Sequence, residues 1–358
     1  MYSPGIETLD LKALKGAKVG LLSHQAATVT TGEDSATWLH RHLGPSLAAL
    51  FAPEHGFFGL CSAGEHSPFR VHPQWKIPVW SLYGDYRAPT AEMLKGLDVL
   101  IVDLQDLAVR CYTYLATLQL TLQVAAQSHL PIIVCDRPHP FAHPDGPGLN
   151  PQYQSFVAPC DLPMVYAKTQ GEAAQSICAI DNLSLDLTIC AAEGDYLPCT
   201  FPSSLDFIPP SPAIRTWQSA QLFPLTVFTE ALPAVDCDRK GSMAFRVVSL
   251  DGIASEHLAT ELSRAPLSGL ACSPFRYVSN GKERDGVRFF VTNFRDYRPI
   301  SASIHLLSIL TRLRPDIWQT TDARPEWFDK LYGDSTIRTA LLESVPPADI
   351  IAQWSGTP

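Results

Sequence analysis

The chain has 358 residues, 46% of them apolar and 18% charged, with a formal net charge of −9. Such a composition belongs to a globular protein with room for two domains and excludes disordered and fibrous classes. The negative balance disfavours phosphate backbones and anionic lipid, so neither nucleic acid nor a membrane surface is an expected partner.

Up to about residue 140, short apolar runs alternate with amphipathic stretches. Lys18-Val19-Gly20-Leu21-Leu22 predicts a first strand that runs into the polar Ser23-His24-Gln25. Asp34 to His42 predicts a helix. Leu47-Ala48-Ala49-Leu50-Phe51 predicts a second, buried strand, and Pro53 and Gly56 punctuate its exit around Glu54 and His55. Thr90 ahead of Ala91-Glu92-Met93-Leu94-Lys95-Gly96 predicts an N-capped short helix closed by glycine. Asp98 to Asp103 predicts a third strand, Thr113 to Gln127 a long helix, and Pro131 to Asp136 a fourth strand. This alternation predicts an α/β fold with a Rossmann-like, doubly wound parallel sheet, since right-handed crossovers must cover both faces.

Beyond Asn150 the texture changes, and prolines crowd between Leu197 and Pro212. Gly286 to Thr292 predicts a strand and Ile300 to Leu313 an amphipathic helix. The expected organisation is a Rossmann-like domain over 1–150 carrying the carboxylates, and a second, smaller α/β (α+β) domain over 151–358. Nine cysteines show no CxxC pair and no zinc spacing, so reduced, buried thiols are expected. The Met1-Tyr2-Ser3-Pro4-Gly5 start lacks the basic and apolar regions of a signal peptide, and no apolar run approaches the roughly 18 residues of a bilayer span. A cytoplasmic location is expected, or a periplasmic or secreted one if a leader has been removed.

Four strand ends deliver polar residues to one sheet edge: His24 and Gln25, then Glu54 and His55, then Asp103, Gln105 and Asp106, then Asp136 and Arg137. Each alone is explained by helix capping or an ion pair; four together point to a polar pocket. No GxGxxG follows the first strand and no GxxxxGK[ST] occurs, which argues against NAD, FAD and ATP. No GxSxG elbow occurs either. His24, His55 and His66 match no metal spacing, so no metal or other cofactor is expected. What remains is carboxylate chemistry, the paired acid and base of glycoside hydrolysis. Glu54, flanked by Phe51, Phe57 and Phe58, suits a general acid; Asp103 and Asp106 are candidate partners. Tyr83, Tyr112 and Tyr114 offer faces for a sugar ring. Arg110 and Arg137 can each clasp a substrate carboxylate, or instead pair with Asp106 or Asp136.

These residues also form a recognisable set. Ala52-Pro53-Glu54-His55-Gly56-Phe57, Ala63-Gly64, Ser81-Leu82-Tyr83-Gly84 with Pro89-Thr90, Asp103-Leu104-Gln105-Asp106 through Tyr112-Thr113-Tyr114, Asp136-Arg137-Pro138 with Pro140, and Gly146-Pro147 occur in that order. The set resembles the exo-β-N-acetylmuramidases of glycoside hydrolase family 171, formerly a domain of unknown function. The resemblance implies a Rossmann-like domain and a smaller C-terminal domain with a cleft between them. It also implies release of terminal N-acetylmuramic acid from peptidoglycan fragments without a cofactor. The family's Glu-His pair carries over to Glu54 and His55, and its aspartate-rich segment to Asp103, Gln105 and Asp106. The sugar's lactyl carboxylate would give Arg110 or Arg137 a task. Two segments depart from the family pattern. Tyr166-Ala167-Lys168 stands where it usually has His-Gly-Met ahead of Thr-x-Gly-Glu. The loop from Glu230 to Arg239 keeps two acids while its arginine has slipped by one. Glu230 and Arg239 are therefore counted as substrate-binding candidates. The competing expectation is a non-catalytic muropeptide- or sugar-binding relative.

Overall fold

The computed structural model describes residues 2–194 and 199–355; Met1 and the start of the proline-dense stretch, 197–198, lie outside the described residues. Contacts divide the chain into two units. The first holds Met1–Ala108, Tyr112–His139 and Lys168–Pro212, the second Val109–Cys111, Pro140–Ala167 and Ala213–Pro358. The chain therefore crosses from one unit to the other more than once, where the expectation was a single boundary near residue 150.

The first unit contains strands β1 (Val19–Ser23), β2 (Leu47–Ala52), β3 (Arg70–Val71), β4 (Pro78–Ser81), β5 (Val99–Asp103), β6 (Ile132–Cys135) and β7 (Leu187–Cys190). Helices α1 (Ser35–Leu43), α2 (Ala91–Leu94), α3 (Tyr114–Ser128) and α4 (Gln170–Ile180) connect them. The sheet order is β3-β4-β2-β1-β5-β6-β7. All neighbours are parallel except the β3–β4 edge pair. Every residue of β1 and β5 is buried, as continuous apolar runs require when helices cover both faces. α1 starts where Asp34 accepts the Thr37 N–H, and it buries Trp38, Leu39 and Leu43. Those side chains join Leu21, Leu50 and Ile101 in one core. Each fully buried leucine there contributes about 1.5–3 kcal/mol.

The order β2-β1-β5-β6 matters for the site. Four parallel strands put their carboxyl ends on one edge, and the winding reverses at β1, with Ser23 in register with Asp103. A ligand crevice opens at such a switch point. The four predicted strands are these four.

The second unit carries a smaller, antiparallel sheet of β8 (Val235–Asp236), β9 (Val247–Leu250), β10 (Leu270–Ser279) and β11 (Lys282–Val291), in the order β10-β11-β9-β8. Asn280 and Gly281 join β10 to β11, both at positive φ, the two-residue turn that suits the twist of a hairpin. Helices α5 (Trp217–Thr226), α6 (Ser255–Ser263), α7 (Pro299–Leu313), α8 (Pro325–Tyr332), α9 (Thr336–Leu342) and α10 (Pro347–Ile351) complete it. Asp145 accepts the Ile300 and Ser301 N–H groups at the start of α7 and also receives the Trp354 indole N–H. Among the described residues no helix is long and apolar enough to cross a membrane.

Candidate active site

β2 stops at Ala52 because Pro53 cannot continue the ladder, and the next side chain, Glu54, turns inward. Only 6% of Glu54 is exposed. Its Oε1 accepts the Gly64 N–H at 2.8 Å and its Oε2 accepts the Thr113 hydroxyl at 2.7 Å. The Tyr83 hydroxyl is also within hydrogen-bonding reach of Glu54, and both burial and that carboxylate push the phenol upward. Arg87 lies 4.1 Å from the Tyr83 ring centre. Thr113 directly precedes α3 yet makes no side-chain cap to it. The hydroxyl serves Glu54 instead, and the carboxylate sits beside a helix N-terminus, which favours negative charge.

His55 holds a left-handed backbone, φ 76°, which costs a non-glycine residue of the order of 1–3 kcal/mol. Its ring is anchored: Nδ1–H donates to the Cys61 carbonyl at 2.9 Å, which leaves Nε2 with the lone pair in the neutral tautomer. Gly59 nearby holds φ 66°, a left-handed backbone that glycine adopts freely. Gln25 donates to the Pro209 carbonyl.

Asp106 follows β5 and is buried, with Oδ2 accepting the Ala108 N–H at 3.2 Å. Gln105 braces it by donating to the Asp106 and Pro138 carbonyls. Tyr112 and Tyr114 lie 4.7 Å apart, ring to ring, and burial, foremost, pushes both phenols upward. The negative charges of Asp106 and Glu54 act on both phenols in the same direction, so the two carboxyls share one neighbourhood. Tyr112 also bonds Ser211.

Several expected site residues have other tasks. Asp103 is sealed: Arg137 grips both its oxygens at 2.6 and 2.8 Å, and the Ser35 hydroxyl donates to Oδ2. Arg137 further donates to the Thr28 carbonyl and Ser35 Oγ. Its partner is thus Asp103, not Asp106 or Asp136, and neither residue has an edge left for substrate. Asp136 accepts the Gly171 N–H at the start of α4, so it serves that helix. His24 is buried; its Nε2 accepts the Gln105 N–H, and its Nδ1 bonds the Tyr114 hydroxyl, which donates on to the Pro210 carbonyl. Burial, then Arg137 and His55, hold the His24 ring well below its usual value. It is a neutral bracket rather than a substrate contact.

In the second unit Arg110 is also sealed, donating to the carbonyls of Pro147, Leu162 and Tyr332. Burial lowers it to about 10. Its Nε–H has no partner, but the side chain is fully buried, so the guanidinium is not presented to a substrate carboxylate. Glu230 and Arg239 pair at 3.3 Å, and burial raises Glu230 against that pairing.

Among the described residues no three His, Cys, Asp or Glu side chains gather to hold a metal ion, so His24, His55 and His66 form no such cluster. Residues 19–218 match the family model described as exo-β-N-acetylmuramidase NamZ, N-terminal, and residues 221–357 match its C-terminal counterpart. This chain belongs to the NamZ exo-β-N-acetylmuramidase family. The peptidoglycan β-N-acetylmuramidase NamZ of Bacillus subtilis strain 168 is 30% identical, covering 99% of this chain and 87% of that protein. A DUF1343 family protein of Bacteroides fragilis NCTC 9343, known from its crystal structure, superposes with a TM-score of 0.88 at 28% identity, over 98% of this chain and 95% of the other. A second DUF1343 protein of that strain shares the fold, with a TM-score of 0.74 at 23% identity over 99% and 94% of the two chains.

Within this NamZ-family chain, sequence reasoning missed Thr113 and the Gly64 N–H as holders of Glu54. Threonine before a predicted helix reads as a cap, and a backbone donor ten residues on leaves no side-chain signal.

Proposed function

We propose that this chain is a glycoside hydrolase of the family 171 type that releases terminal, β-linked N-acetylmuramic acid from peptidoglycan fragments. Glu54 is the general acid/base. Asp106, rather than the sealed Asp103, is the second carboxylate or the group that orients it. His55 and Tyr112 contact the sugar. One observation carries this reading: a nearly buried carboxylate at the carboxyl end of a central parallel strand, held by the Gly64 N–H and the Thr113 hydroxyl at a helix N-terminus. Fixed donors on a carboxylate hold its geometry through the reaction, the preorganisation that acid–base catalysis needs. Family membership and the 30% identity with the B. subtilis peptidoglycan β-N-acetylmuramidase support the substrate class.

Incubation with a disaccharide bearing N-acetylmuramic acid at its non-reducing end, followed by mass analysis, tests the proposal. Appearance of free N-acetylmuramic acid supports it. An intact disaccharide that merely raises the melting temperature overturns it in favour of a binding protein.

A further inference from the structure

The proposed substrate carries a carboxylate on its lactyl group, and neither arginine expected to receive it is presented to it. Arg137 is closed on Asp103, Ser35 and Thr28, and Arg110 is buried on three carbonyls. The strand ends carry Glu54 and Asp106 in a chain of net charge −9, so an anionic sugar needs a cation there to offset the repulsion. Arg87 is such a cation, and the strand register brings it beside Glu54.

β2 and β4 are parallel neighbours with Ala52 in register with Ser81, and the Leu82 N–H extends the ladder to the Ala52 carbonyl. Glu54 and Tyr83 each stand two residues beyond that pair, so the two strands deliver them side by side. The turn is tied at Ser81, whose hydroxyl donates to the Tyr83 carbonyl at 3.0 Å and accepts the Tyr83 N–H at 3.2 Å. It is tied again at Thr90, which caps α2 by accepting the Met93 N–H. Between these anchors Asp85 faces His66 at 3.3 Å, while Arg87 is exposed and lays its guanidinium over the Tyr83 ring, 4.1 Å from its centre. The Tyr83 hydroxyl lies within hydrogen-bonding reach of both Arg87 and Glu54, so it accepts from the guanidinium and donates to the carboxylate. A guanidinium carries five N–H donors in a planar fork, enough to meet a hydroxyl and hold a carboxylate at the same time.

We infer that Arg87 is the specificity-determining cation of this enzyme: its guanidinium, held on the Tyr83 ring, receives the lactyl carboxylate while Glu54 acts at the glycosidic oxygen. The inference rests on the hydrolase reading above and names the residue that reads the sugar. The lactyl ether and the glycosidic oxygen leave N-acetylmuramic acid two carbons apart on one ring, so the carboxylate lies about a sugar ring away from the bond that breaks. Arg87 stands off Glu54 by one phenol ring, a matching span. The guanidinium is exposed, so no closed cavity has to admit the anion; the lactyl-bearing side of the sugar only has to face this loop. N-acetylglucosamine, which lacks the lactyl group, gains nothing from Arg87.

The test uses the intact protein with the nitrophenyl β-glycoside of N-acetylmuramic acid and the same glycoside with its lactyl carboxylate converted to the primary amide, a neutral group of the same shape. The wild type is expected to prefer the acid by about tenfold in kcat/KM, the low end for hydrogen bonds to charged groups because Arg87 is exposed. In Arg87→Met that ratio is expected to fall towards one, the acid losing more than the amide, and Arg87→Lys is expected to keep part of the preference. An acid-to-amide ratio unchanged in Arg87→Met overturns the inference. So does an equal loss on both glycosides, which would make Arg87 only a prop for Tyr83. Arg87→Gln, which keeps a donor beside the Tyr83 hydroxyl without the charge, repeats the test should the methionine variant melt early. If the wild type cleaves neither glycoside, the hydrolase reading fails; if it cleaves both at equal kcat/KM, that reading stands and only Arg87 loses its role.

Discussion

Thr113 and Ser35 decide what the acids around them can do. The Thr113 hydroxyl holds Glu54 Oε2 while Gly64 holds Oε1, so removing one donor loosens the carboxylate without removing it. Thr113→Val is expected to lower kcat by about tenfold with little change in melting temperature, and Thr113→Ser to retain most activity. An unchanged kcat in the valine variant would show that Glu54 needs no such support. Ser35 and Arg137 close Asp103 from the other side. Arg137→Met leaves Asp103 charged and buried, and should cost about 3–5 kcal/mol by denaturant unfolding. In sequence Asp103 and Asp106 look alike, three positions apart at one strand end. What separates them is an arginine 34 residues on and a serine 68 residues back, contacts of the folded chain that no spacing reveals.

The elements themselves were largely legible. β1, β2, β5 and β6 announce themselves because strands buried on both faces must be apolar throughout, α1 because Asp34 caps it, and α7 because a proline opens its periodic run. β3, β4 and β7 were not predicted: they are short, partly exposed and, in β4, opened by a proline. α4 begins with a capping box in which Thr169 accepts the Glu172 N–H and Glu172 accepts the Thr169 N–H. Two residues earlier Ala167 sits at φ 45°, a conformation glycine adopts freely and alanine does not. Ala167→Gly should therefore stabilise the protein by about 0.5–1 kcal/mol, and a fall in melting temperature would show that other contacts hold this turn.

At the scale of the whole molecule, burial of ionisable groups sets the pH range of stability. His24 lies well below its usual value and His139 at about 4, both mainly through burial. In the unfolded chain both titrate near 6.5, so between about 4 and 6.5 the unfolded state binds more protons and stability rises with pH. Their contribution is complete above about 6.5 and is lost as the pH falls towards 4. Melting curves from pH 7 to pH 4 should drop, and less steeply in His139→Gln; identical slopes would place the acid sensitivity elsewhere. By its sequence Arg110 can clasp a substrate carboxylate or pair with Asp106 or Asp136. Its three acceptors are backbone carbonyls at 147, 162 and 332, which carry no sequence signature.

The central claim is that Glu54 is the proton donor and acceptor of a β-N-acetylmuramidase. The most direct measurement is kcat/KM of Glu54→Gln on a β-N-acetylmuramide with a poor leaving group, beside its melting temperature. The predicted result is a loss of about 10²–10⁴-fold in a protein that melts like the wild type. Turnover at the wild-type rate in that variant would contradict the account.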